Sequence, residues 1–481
     1  MAFVVGIPPN YETDLKAEKM RFRKLNVAIA VALSWSLVGV ESSRAEDWPQ
    51  WLGALRDGIW HETGIITELP AAGPPVKWRL PIGAGYTGPS VANGRLFVMD
   101  RTANDELSEE ARQAMKKDGF QPGGERVLCL DVNTGEKLWE YVYDCPYRIS
   151  YPSGPRCTPT IDGEYAYTLG AMGDLVCLRV KDGGVVWQTK FLEHYTKEDK
   201  PIRPPVWGYA SHPVIEGGLV IVPVGGDGSA VVAFDKMTGE EVWKNLTSSD
   251  IAYAPLMFYG HGDSRQLLFW HADGVDSLNP ETGTHYWHHK FPEEQTQPGM
   301  TTSIATPQFV GDLFYVSEYF SGSLILRLKS DPPGVEEVFR SATGDPRHKS
   351  DINALMTNPI IREGLVYGVT GDGIFRCSEL DTGKKVWDNE KMFGEKPADS
   401  GTLFVVENEG RFFSLDDLGR LSILSLSRDG VETLSSCQLI EATQNARGRT
   451  IVWSHPAFAN RCIYARNDKE IVCFDMAKPG G

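Results

Sequence analysis

The stretch "VLCLDVNTGEKLWEY", residues 127–141, decides the fold. "VLCLD" is a strand-forming run, "NTG" turns the chain, and "KLWEY" resumes an extended segment. Alone it would be a hairpin. Copies of it recur: "LRVKDGGVVW" ends at Trp187, "FDKMTGEEVW" at Trp243, "LNPETGTHYW" at Trp287 and "SELDTGKKVW" at Trp387. Counted from Trp139, the tryptophans are 48, 56, 44 and 100 residues apart. The last gap is two periods, and "PPGVEEVFRS" places Phe339 near its middle. A period of about 50 residues with strand–turn–strand content is the signature of a β-propeller.

Each copy has mechanical parts. The early Asp or Asn can accept backbone N–H bonds across the turn. Gly135, Gly239, Gly283 and Gly383 supply a left-handed turn position. The repeat tryptophans Trp78, Trp139, Trp187, Trp243, Trp287 and Trp387 are expected to seal one sheet against the next, each burying ~150–250 Å². Cys129, Cys177, Cys377 and Cys473 share one repeat position and read as small buried side chains. Asp-Gly tips such as "GDG" at 226–228 and 371–373 mark a second hairpin in each unit. They lack the length and the bidentate Glu of a calcium loop. A proline opens most units (Pro89, Pro159, Pro213, Pro255, Pro307, Pro359 and Pro456), where it costs no ladder bond.

Units start near residues 88, 158, 212, 254, 306, 358, 401 and 455. That makes eight, and the seventh lacks the opening Pro and the Trp. The eighth has three strands and stops. Its missing strand is "PVKWRLPI", residues 75–82, at the other end of the propeller. The expected fold is therefore an all-β, eight-bladed propeller of four-stranded antiparallel blades over residues 75–481. The N-terminal strand completes the last blade, closes the ring and removes its free edges.

The flanks read differently. Arg21, Arg23 and Lys24 precede an apolar run from Leu25 to Val40, followed by Ser43 and Ala45 at cleavage-site positions. Residues 1–45 are thus expected to be a secretory signal, with the true start near Met20. An uncleaved anchor is the alternative, although sixteen apolar residues fall short of the ~20 that a span needs. Residues 46–74, with "DWPQWLGALRDGIW", are expected to pack against the outside of the propeller. "ELSEEARQAMKK" (106–117) interrupts the first unit and reads as a short polar helix capped by Asp105 or Ser108. The net charge of −16 argues against nucleic acid as a partner. No transmembrane helix is expected after signal cleavage, and a periplasmic or secreted location follows. Eight Cys in an exported chain permit disulfides, and Cys145 and Cys157 bracket one loop that a bridge could close.

On these residues the chain resembles the quinoprotein-like (PQQ-repeat) eight-bladed propellers, whose repeat reads A-x-D-x-x-T-G-x-x-x-W. The opening "DWPQWLGALRDG" is similar to the start of exported propeller proteins of planctomycete-type bacteria. The resemblance implies one of two functions. Some members are dehydrogenases that bind pyrroloquinoline quinone and Ca²⁺. Others are scaffolds, such as the outer-membrane-assembly propeller. The vicinal Cys–Cys pair of the enzymes, a haem motif and a lipobox Cys are all absent from the sequence.

Candidate site residues lie in the blade-to-blade loops, which emerge on one face. Tyr151, Arg156, Trp207, Tyr209, His212, Tyr253, Asp351, Asn353, Trp453 and His455 are expected to converge there. Two readings stay open: a ligand or partner site, or a plug whose polar groups bond blade to blade. His285, His288 and His289 lie on one strand, where positions i and i+4 share a face but i+3 and i+4 do not, and no carboxylate or Cys completes a set locally. They read as a surface strand, and no metal site is assigned. No catalytic set is recognisable. The expectation is an exported binding or scaffold propeller for a protein, peptide or glycan partner, without a cofactor. A quinone-dependent dehydrogenase of alcohols or sugars, with PQQ and Ca²⁺, is the alternative.

Overall fold

The computed structural model describes residues 46–103, 108–292, 301–342, 344–446 and 448–479. The segment read as a signal lies outside them, as does Asp105. Eight four-stranded antiparallel sheets follow one another. Blades 1 to 7 take residues 90–144, 160–190, 214–245, 257–290, 308–340, 360–389 and 403–438. Blade 8 combines residues 457–475 with Val76–Pro81. That closing strand pairs antiparallel with Glu470–Asp475, with Trp78 opposite Cys473 and Leu80 opposite Ile471. In each of blades 1 to 7 the chain runs from inner strand to outer, so side chains of neighbouring sheets meet in continuous layers.

The repeat works across blades. Asp131 Oδ1 accepts from the backbone N–H of Asn133 and Thr134 at 2.9 Å each, and Asp235 and Asn279 hold their turns the same way. The register slips by a bulge just after the Trp pair in each of these hairpins, as at Cys129/Leu130 and Cys177/Leu178. All four repeat cysteines stand directly across from a repeat Trp: Cys129 from Trp139, Cys177 from Trp187, Cys377 from Trp387, Cys473 from Trp78. A small partner lets the indole lean off its own sheet. It leans onto the glycine of the following blade. A Cβ on Gly239 would come 2.5 Å from the Trp187 indole, and Trp187 Nε1 donates to Lys236 O at 3.0 Å. Trp139 covers Gly183, Trp243 covers Gly283, and Trp78 covers Gly135 across the ring closure. Their indole N–H groups reach the carbonyls of Val180, Pro280 and Val132 at 2.9, 3.1 and 2.9 Å. Blade 5 lacks the T-G turn, and Trp287 donates instead to Gln266 Oε1 of its own blade at 2.9 Å. Phe339 takes the Trp position over Gly383.

The N-terminal extension departs from expectation. Its first part, residues 46–60, does not lie on the outside. Trp48 and Val91 exchange backbone bonds at 2.8 Å, Pro49 O accepts from Ile161 N, and Ile59 bridges to Glu407. These partners belong to the inner strands of blades 1, 2 and 7, so residues 46–60 cross the central channel. Trp51 fills it. Its Nε1 donates to Thr306 Oγ1 at 3.0 Å, and its ring stacks on His212 at 4.6 Å and meets His455 edge-on at 4.2 Å. Trp48, Trp51 and Trp60 are all buried; on the outside those indoles would have stayed wet. Further on, Trp60 packs on Phe413 and Phe458, and Ile65 and Leu69 join the core of blades 7, 8 and 1. Asn408 Nδ2 donates to the carbonyls of Trp60 and Glu62 at 2.7 and 2.8 Å. The extension therefore seals the sector where blade 7 has no repeat Trp.

The insertion in blade 1 forms a helix over Glu109–Lys117. Ser108 Oγ accepts from Ala111 N at 3.2 Å as its cap, and none of the helix residues is buried. The bridge that Cys145 and Cys157 could make across their loop is not formed: both are free thiols. They sink into different walls of their loop. Cys145 Sγ faces Asp174 Oδ2 at 3.7 Å in blade 2, whereas Cys157 Sγ faces the carbonyls of Tyr209 and Ser211 at 3.6 and 3.4 Å.

Candidate binding face

The blade-to-blade loops and the turns between second and third strands share one face of a propeller. The ten residues expected to converge there divide into three groups. The first supports the plug. His212 Nδ1 accepts from Thr158 N at 2.8 Å, and His455 Nε2 lies 2.7 Å from Thr158 Oγ1. Burial pushes the His455 imidazole down to about 3. Burial, with the charges of His455 and Arg56 behind it, drives His212 well below its ordinary value. Both rings are neutral walls around Trp51.

The second group forms struts away from the mouth. Tyr209 packs on Phe191 and donates through its hydroxyl to Val224 O at 2.7 Å. Asp351 accepts from Ser323 N at 2.8 Å and from the Ser341 hydroxyl. Asn353 Nδ2 donates to the carbonyls of Tyr319 and Pro346 at 3.1 Å each. The backbone carbonyls of Asp351 and Asn353 accept from Arg376 Nη1 and Gly371 N of blade 6 at 3.2 and 3.0 Å, so the two residues tie blades 5 and 6 together.

The third group lines the mouth. Trp453 lies 5.7 Å from Tyr151 and 6.3 Å from Tyr86 between ring centres, and the Arg156 guanidinium sits 4.9 Å over Tyr86. Arg156 also donates to the carbonyls of Gly154, Ser150 and Tyr151 at 2.5, 3.0 and 2.6 Å, so its charge rigidifies its own loop. Trp207 packs 5.1 Å from Tyr253, whose hydroxyl accepts from Trp207 N at 3.3 Å. Tyr86, Tyr151, Trp207 and Trp453 are half-buried, with part of each ring facing outward. Trp453 Nε1 is shielded and has no partner among the described residues.

This mouth does not suit a quinone with Ca²⁺. Calcium takes six to eight oxygen ligands. The Asp351 carboxylate and the Asn353 amide are committed to blade 5 and the linker that follows it, and Trp51 fills the axis between His212 and His455.

Beside the mouth runs a groove of about 1040 Å³ that the sequence reading missed. Phe120, Ile149, Leu192 and Val206 supply apolar lining, and Arg148, Lys197, Lys200 and Arg203 line it with positive charge, against Glu198 and Asp250. Val206 is 38% exposed. Lys197 Nζ donates to the carbonyls of Ser248 and Ser249 at 2.9 and 3.2 Å, and Ser150 N donates to Val206 O at 2.8 Å, fastening the groove to the mouth loop. The signal for it was "KEDKPIRPPVW" (197–207), a long loop dense in basic residues on a chain of net charge −16.

A family model described as outer membrane protein assembly factor BamB matches residues 62–204 and 123–389. The chain belongs to this PQQ-repeat propeller family. BamB of Shewanella oneidensis is 19% identical to this PQQ-repeat propeller over 222 residues, 46% of the chain and 51% of the relative. The chain thus spans about half the length of the curated relative it matches. The crystal structure of BamB from Moraxella catarrhalis superposes with a TM-score of 0.52 at 15% identity, over 84% of this chain and 98% of that one. At that identity the likeness is one of fold. Among the described residues no helix is long and apolar enough to cross a membrane.

Proposed function

We propose that this PQQ-repeat propeller is a non-catalytic scaffold of the cell envelope that takes a protein or peptide segment on its loop-rich face. The observation that carries this is the union of aromatic mouth and cationic, apolar-lined groove on one face of an otherwise acidic molecule. Half-buried Trp and Tyr with nearby Arg are the residue types that anchor protein partners. A local positive groove selects an acidic or carboxylate-rich segment and speeds its capture. The outer-membrane assembly role named for its relatives fits this reading. The committed carboxylate and amide and the filled channel weigh against the quinone dehydrogenase.

The test is capture from envelope extract of the source organism. Wild type is compared with a Val206→Asp/Trp207→Ala/Arg203→Glu variant and with Val242→Asp, a change at an exposed outer-strand position of blade 3. The face variant should lose the captured partner at least tenfold, and Val242→Asp should keep it. Equal capture by both variants, or none by wild type, would overturn the proposal.

A further inference from the structure

The blade 4 histidines do more than decorate a surface strand. No carboxylate stands among them in sequence because the carboxylate, Asp276, comes from the neighbouring strand. Asp276 pairs directly with His288, and a bulge between Ser277 and Leu278 brings His285 round to the same side despite its three-residue spacing. His271, at the end of the second strand, is added from the third direction. His271 Nε2 and His288 Nδ1 lie 2.6 and 3.0 Å from Asp276 Oδ2, and His285 Nε2 lies 2.7 Å from Asp276 Oδ1. His289 is not part of the set; its ring bonds Glu337 of blade 5 at 2.8 Å.

We propose that His271 Nε2, Asp276 Oδ2 and His288 Nδ1 bind a divalent transition-metal ion of the zinc type, with His285 holding the other carboxylate oxygen. The three ligand atoms all lie within 4.8 Å of one another. Two imidazoles and a carboxylate are a zinc donor set that leaves one position open. With bonds of 2.0–2.1 Å, tetrahedral ligand atoms stand ~3.3 Å apart, so Asp276 Oδ2 must move ~0.7 Å away from His271 Nε2 and ~0.3 Å away from His288 Nδ1. His288 gives its part freely, since its side chain is 42% exposed; the larger part is a small rotation of the Asp276 carboxylate away from His271, both buried at 5% and 3% exposure. Gly274 makes room for its ring, since a Cβ there would lie 2.6 Å from His288 Cε1.

The groups around the ligands fit the same role. His285 can donate to the oxygen that the metal does not take. Ser248 Oγ lies 2.7 Å from His271 Nδ1 and has its own acceptors in Asp250 O and Asp273 Oδ2, at 2.8 and 3.0 Å. It can therefore receive an Nδ1 proton, although Asp273 N–H also approaches that nitrogen from 3.3 Å. In the tautomer with Nδ1 protonated, the Nε2 lone pair faces a carboxylate oxygen, and a metal cation would take the place that a proton holds in the other tautomer. Orienting partners of this kind are the usual support of metal ligands. The site also adjoins the groove, whose lining includes Ser248 and Asp250, but it rests on blade 4 alone and does not depend on the scaffold reading.

The experiment uses the tag-free full chain, stripped with chelator and titrated with Zn²⁺ alone by calorimetry and with Co²⁺ by visible absorption. One equivalent should bind, with the d–d bands of a low-coordinate cobalt site and a Zn²⁺-dependent rise in thermal midpoint. His288→Ala, a surface change whose folding is checked by circular dichroism, should weaken binding at least ~100-fold through loss of a ligand. His285→Ala should weaken it ~10–100-fold, and His289→Ala should leave it unchanged. Absence of saturable one-equivalent binding, or a His288→Ala variant that binds like wild type, overturns the proposal.

Discussion

At Gly239 two demands coincide. Its φ is +74°, and a Cβ would lie 2.5 Å from the Trp187 ring of the preceding blade. Gly217, in the same blade, has φ +55° with nothing within 4 Å of where its Cβ would stand. Both glycines disfavour Ala through the backbone, by roughly 1–2 kcal/mol. Only Gly239 adds overpacking against a fixed indole, a further ~1–3 kcal/mol. Gly239→Ala should therefore destabilise by about 2–5 kcal/mol and Gly217→Ala by about 1–2, measured by urea denaturation; equal losses would mean the indole gives way. The T-G and W of the repeat were legible because both recur at fixed spacing. That they act on different blades was not, since spacing reveals a period but not which copy touches which. Asp276 stayed hidden for a related reason: it meets His288 through strand pairing and His285 through a bulge, and neither is written in local sequence. The mouth aromatics were legible as loop residues. The struts Tyr209, Asp351 and Asn353 looked the same in sequence and were separated only by their hydrogen bonds.

At the scale of the element, the closing strand Val76–Pro81 carries more than its six residues suggest. Its pairing with Glu470–Asp475 joins the two ends of the propeller, and Trp78 then reaches over Gly135 into blade 1. That strand was readable because the last unit was one strand short. Trp387 occupies the same repeat position in blade 6 and donates to Ser427 O at 3.1 Å, but it is only half-buried. Truncating a buried Trp costs about 3–5 kcal/mol. Trp78→Ala should approach that range and loosen blades 8 and 1 together, whereas Trp387→Ala should cost about half as much, in proportion to the apolar area involved. Hydrogen exchange would separate them. Trp78→Ala should raise exchange at both 76–81 and 470–475, and protection retained there would contradict the clasp.

For the whole molecule, the decisive feature is the channel filled by residue 51. An eight-bladed ring leaves a central passage, and here Trp51 bridges Thr306 before blade 5, His212 before blade 3 and His455 before blade 8. Sequence could not place it, because an extension outside the repeat has no period to register it. Trp51→Ala should cost about 3–5 kcal/mol at pH 7 by cavity formation. It should also admit water to two imidazoles that burial keeps neutral, His455 at about 3 and His212 well below its ordinary value. In wild type the unfolded chain takes up protons on these histidines below about pH 6.5 while the folded chain does not. Stability is therefore fully present above that pH and is lost as pH falls toward about 3, at up to ~1.4 kcal/mol per pH unit for each ring. Hydration in Trp51→Ala raises both folded values toward the unfolded one, so this loss shrinks. The stability gap between variant and wild type should narrow from pH 7 to pH 5 in urea denaturation, while the two histidine resonances titrate at higher pH by NMR. Parallel stability profiles with unmoved histidines would show that Trp51 is a passenger in the channel and that the ring closes without its plug.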